Sequence, residues 1–183
     1  MTETTDDNMP WLAASEAGKI AAQMTVEGGR GAILVGAARI DTALETLLKS
    51  VMAPGSPKDD NLFDPEKPLG TLSAKIALAS RLSLIEKPVE QAMQMIRKTR
   101  NDFAHSFDGI CISDEVHQGR LARAYSEARK NPLWAPLEKT LTEAGIEKHL
   151  RDYILLVTVL VTFMEACSHR QERFLPAIPV RFS

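Results

Sequence analysis

The feature that most constrains this chain is a run of apolar residues at three- and four-residue steps: Ile33, Ala37, Ile40, Leu44, Leu47, Leu48 and Val51. That spacing lines one face of an α-helix, whereas a strand needs a period of two. It predicts a helix over about 30–52. The opposite face carries Arg39, Asp41, Glu45 and Lys49. Asp41 and Glu45 form a like-charged pair four apart, while Glu45 and Lys49 stand in the favourable order. Period-two alternation is almost absent from the rest of the chain, and no internal repeat is visible. Aromatics make up only 5% of the 183 residues, which argues further against a sheet. The expected fold class is all-α, a single-domain helical bundle of six or seven helices.

Breakers divide the remaining helices. A first helix is expected over about 16–26, capped by Ser15, burying Ile20 and Met24 and broken by Gly28-Gly29. Residues 53–67 hold three prolines and read as a loop, with Leu62 and Phe63 pinning it to the body. Thr71 or Ser73 opens a short helix to about Leu84, with Leu72, Ile76, Ala79 and Leu82 on its apolar stripe. Pro88 suits the first turn of a helix over about 88–105, where a missing N–H costs little. Ser113, followed by two acids, starts a charged helix to about Lys130. A short helix from Trp134 to Ala144 ends at Gly145, and a last one runs from about Ile146 to Phe174. Residues 1–14 read as a disordered acidic tail, 15–175 as the helical domain and 176–183 as an extended tail.

The segment Tyr153–Met164 is largely apolar, but about 12 residues fall short of the roughly 20 that a membrane span needs. Arg151, Asp152 and Glu165 bracket it, so it reads as a core helix rather than a membrane segment. The opening MTETTDDNMP is unlike a signal or transit peptide. Cys111 and Cys167 show no zinc-ligand spacing, and two thiols without a leader point to the cytoplasm. The formal net charge of -2 gives no global basic field, which makes direct DNA binding doubtful. No HExxH, P-loop or ligand cluster appears, so neither a metal nor a cofactor is expected.

The most site-like stretch is IRKTRNDFAHS, residues 96–106. On a helix, Arg97, Asn101 and His105 fall at i, i+4 and i+8 on one face, while Ile96 and Phe103 point into the core. Arg100 lies one turn before Ala104, and the helix end lets it swing toward His105. A guanidinium can fork onto phosphate oxygens and an imidazole can shuttle protons near neutral pH, with Asn101 orienting either. Arg97 and Lys98, with Arg100, make the one compact basic patch. The plainer reading is that these cations only favour the negative end of the helix dipole. His117, His149 and His169 read as solvated, and Cys111 has no evident activating base.

Two stretches carry a family resemblance. PLGTLSAKIALASRLSLIEK (68–87), with its Leu-Gly-x-Leu-Ser start, is followed by MIRKTRNDFAHSF (95–107), with its Arg-x4-His. Together with the helix over 33–51 they resemble the mannitol operon repressor family, over roughly residues 30–115. The resemblance implies an all-α cytoplasmic transcription regulator. Lacking a basic recognition helix, it is expected to act through a protein partner or a homodimer. Arg100-Asn101-x3-His105 also resembles the motif of HEPN-domain proteins, many of them metal-independent ribonucleases. That alternative implies that Arg100 holds a scissile RNA phosphate, His105 acts as acid or base and Asn101 orients them. The regulator, a non-enzyme, is the leading reading because its resemblance covers more of the chain.

Overall fold

The computed structural model describes residues 9–55, 61–106 and 109–173, with side chains from residue 16 onward. Of the expected N-terminal tail, 1–14, residues 1–8 lie outside the described residues, as does the whole expected C-terminal tail, 176–183, whereas 9–14 are helical. Six helices are present: α1 (Met9–Val51), α2 (Leu72–Arg81), α3 (Lys87–His105), α4 (Glu115–Ala128), α5 (Trp134–Glu143) and α6 (Lys148–Ser168). No strand occurs among the described residues, and the fold is an all-α bundle.

α1 is two helical arms joined at Gly28, which adopts φ 68° and ψ -171°, a region essentially open only to glycine. Along a straight helix Met24 and Gly36 would be about 18 Å apart at 1.5 Å per residue. Instead a Cβ added at Gly36 would meet the Met24 methyl carbon at 2.8 Å. Gln23 also accepts a hydrogen bond from Arg39, sixteen residues on. The first arm therefore folds back along the second. The expected break at Gly28-Gly29 is where the chain turns, although helix begins at Met9 rather than near 16 and runs through Ser15.

The second arm of α1 packs along α6, the most extensive pairing in the fold. Gly36 permits it: a Cβ there would also crowd Tyr153 Cε1 at 3.1 Å and Val157 Cγ2 at 3.2 Å. Tyr153 donates from its hydroxyl to the Ile33 carbonyl at 3.1 Å, so its polar end is satisfied in the core. α6 is buried on every side from Asp152 to Thr162, with α4 and α5 covering its remaining faces. No helix among the described residues is long and apolar enough to cross a membrane.

Several boundaries and environments differ from expectation. α2 ends at Arg81, leaving Leu82 exposed past its last turn, and α6 ends at Ser168 rather than near 174. Asp114, not Ser113, occupies the cap position of α4. Asp152 is buried rather than bracketing the apolar run from solvent. Burial pushes its carboxyl above the usual range, opposed by Arg129 at 2.7 Å.

The like-charged pair on α1 is explained by a residue far away in sequence. Lys75 of α2 is 2% exposed and places Nζ 2.9 Å from Asp41 and 2.8 Å from Glu45. Burial alone would lower the Lys75 pKa, but its two carboxylates together raise it above the ordinary value. Burial likewise works against the Glu45 carboxylate, and hydrogen bonds from Lys49 and Lys75 outweigh it. The Phe63 ring lies 4.9 Å from the Lys49 ammonium and 5.8 Å from that of Lys75, which fixes the preceding loop to the body.

Candidate functional site

α3 starts with Pro88 in its first turn and buries Ala92, Met93, Ile96, Thr99 and Phe103 against α1, α2 and α4. With that face committed, Arg97, Lys98, Arg100, Asn101 and His105 are left exposed or half-buried. His105 is the last helical residue. Just beyond it, the Ser106 carbonyl accepts from Arg30 Nη1 at 2.6 Å, so the second arm of α1 holds the end of α3 in place.

Two concavities meet along α3. The first, about 470 Å³, lies between α1, the start of α2 and α3. Arg97, Arg100 and Asn101 form one wall, and Gly70, Thr71 and Ser73 form the opposite one. The Thr71 hydroxyl caps α2 by accepting from the Ala74 N–H at 3.2 Å. Gly70 is required because a Cβ there would lie 2.1 Å from the Asp64 carbonyl oxygen. Arg97 donates from Nε to Gln94 at 3.0 Å, and Arg100 donates from Nη1 to the Asn101 side-chain oxygen at 3.2 Å. Both guanidiniums are thus positioned by neutral amides.

The second concavity is an open cleft of about 530 Å³ toward α4, lined by Asn101, Asp102, His105 and His117. His117 is only 3% exposed, which corrects the expectation that it is solvated. Its ring lies 5.2 Å from that of Phe103, and Nδ1 is 4.0 Å from Asp102 Oδ2. Arg120 grips the same carboxylate oxygen at 2.6 Å. Burial lowers the His117 pKa below its ordinary value, and Arg120 lowers it further, with Asp102 and Asp114 opposing. The imidazole is therefore neutral at physiological pH.

The expected stripe is present, because Asn101 lines both concavities and joins Arg97 on one side to His105 on the other. Arg100 and His105 are not brought together: Arg100 lines the first groove, His105 the second, and Arg100 bonds to Asn101 instead. Lys98 is exposed and lines neither. Cys111 is an exposed free thiol, accepting a hydrogen bond from the Ser113 hydroxyl at 3.0 Å, outside both concavities. Among the described residues no group of three or more His, Cys, Asp or Glu side chains could hold a metal ion.

No protein-family model matches the chain, and no curated protein matches it. Among solved structures, its fold is similar to one in the X-ray structure of the MtlR-HPr complex from Escherichia coli. The TM-score is 0.60 at 14% identity, over 84% of this chain and 98% of that one. At so low an identity the likeness is one of fold: the bundle is MtlR-like.

Proposed function

We propose that this chain is a regulator of the mannitol operon repressor type, working in the cytoplasm through protein contacts rather than by gripping DNA. The observation that carries this reading is the shared fold, since the similar structure is a complex with a protein partner, HPr. The resemblance of residues 68–87 and 95–107 to the mannitol operon repressor family points the same way. A net charge of -2 supports protein over nucleic acid as the partner, because DNA binding draws most of its affinity from phosphate neutralisation. The partner proposed is a small protein of the HPr kind, and self-association into a homodimer belongs to the same reading. Light scattering of the chain alone and mixed with HPr of its source organism tests both: a mixed complex is expected.

The alternative, a metal-independent ribonuclease using Arg100, Asn101 and His105, meets a geometric demand. Within one chain Arg100 and His105 face different concavities, so contact with a single phosphate needs rearrangement or a second copy. Incubation with mixed RNA in excess EDTA decides it. Under the regulator reading the RNA stays intact; cleavage that disappears in His105→Ala would establish the nuclease.

A further inference from the structure

We infer that the groove between α1, α2 and α3 is a binding site for a small phosphomonoester, gripped by Arg97 and Arg100. This does not depend on the protein-partner reading. The two arginines stand one helical turn apart and line the same groove, and each is oriented by a neutral amide, with no carboxylate paired to either among the described residues. A guanidinium has five N–H donors, and each of these spends one on a side-chain amide, so both keep cationic donors in the groove that they line.

Asp41 also lines the groove, but it belongs to a cluster in which Lys75 bridges Asp41 and Glu45 and Lys49 pairs with Glu45, so two ammoniums balance the two carboxylates. The groove is thus left with two guanidiniums to balance. A carboxylate ligand satisfies one arginine fork, whereas a phosphomonoester dianion supplies three oxygens and the charge that two guanidiniums match. The lining also includes Thr71 and Ser73, whose hydroxyls can hydrogen-bond the rest of a ligand. About 470 Å³ exceeds a bare phosphate and falls within the usual range for small-molecule sites.

The test is calorimetric titration of the full chain with glucose 6-phosphate, inorganic phosphate, glucose and a short oligoribonucleotide. Saturable binding of the sugar phosphate is expected, tighter than that of inorganic phosphate, with glucose inert. Arg97→Ala and Arg100→Ala should each weaken it at least tenfold, while Lys139→Ala on the exposed face of α5 should leave it unchanged. Thermal melts without ligand check that both arginine variants remain folded. Absence of binding, equal affinity for inorganic phosphate, tighter binding of the oligoribonucleotide, or indifference to both arginines would each overturn the proposal.

Discussion

α6 and α3 are of similar length, 21 and 19 residues, yet they are built for different ends. From Asp152 to Thr162 α6 buries residues all round its circumference, with Asp152, Thr158 and Thr162 inside the core. α3 buries one stripe and turns arginines, an amide and a histidine outward into two concavities. The first arrangement stabilises the bundle; the second leaves two arginines held by neutral amides and, among the described residues, by no carboxylate. Residues that the fold does not use are where binding is to be sought.

The largest effect expected from probing this contrast lies in α6. Leu155 is fully buried, so Leu155→Ala should cost about 2–5 kcal/mol in chemical unfolding through lost transfer energy and the cavity left behind. A cost near that of a surface change would break the comparison from the α6 side.

Next comes the ion cluster that ties α2 to α1. Lys75→Ala should cost about 2–3 kcal/mol, less than the roughly 3–5 kcal/mol of fully buried pairs because both carboxylates keep some solvent. It should also change the acid limb. The Glu45 pKa is lowered in the folded chain, so its contribution is complete above its ordinary 4.5 and is lost as pH falls through the lower folded value. Removing Lys75 should flatten that part of the stability-versus-pH curve.

A smaller effect sharpens the border between the two regimes, where α3 ends over α4. His117 resists protonation when folded, so stability is full above 6.5 and declines as pH drops through the lowered folded value. His117→Phe should give a shallower decline as pH falls below 6.5, measured by thermal melts at decreasing pH. An unchanged slope would mean that the buried imidazole is not what titrates.

The smallest stability effect belongs to the outward face of α3. Arg100→Ala should shift unfolding by less than about 0.5 kcal/mol, as for surface substitutions away from packed features. A loss of several times that would make the guanidinium a structural group and erase the contrast with α6.

What could be read from the sequence follows from how local each signal is. The apolar stripe of 33–51, the turn at Gly28 and the core character of 153–164 are written in neighbouring residues. That the first arm of α1 folds back on the second is not, because it depends on Gln23 meeting Arg39 and Met24 meeting Gly36. The burial of Lys75 is not legible locally, because its partners lie 30 and 34 residues away. Burial of His117 was readable: His117, Leu121, Ala124, Tyr125 and Ala128 fall on one helical stripe. The α3 face was legible from the spacing of Arg97, Asn101 and His105. Its division into two concavities was not, since the opposite wall of the first comes from Gly70, Thr71 and Ser73.

If the bundle works by holding a protein partner, as proposed, calorimetric titration with HPr of the source organism should give saturable heat with one HPr bound per chain. No heat at any concentration, together with His105-dependent cleavage of RNA in EDTA, would contradict it.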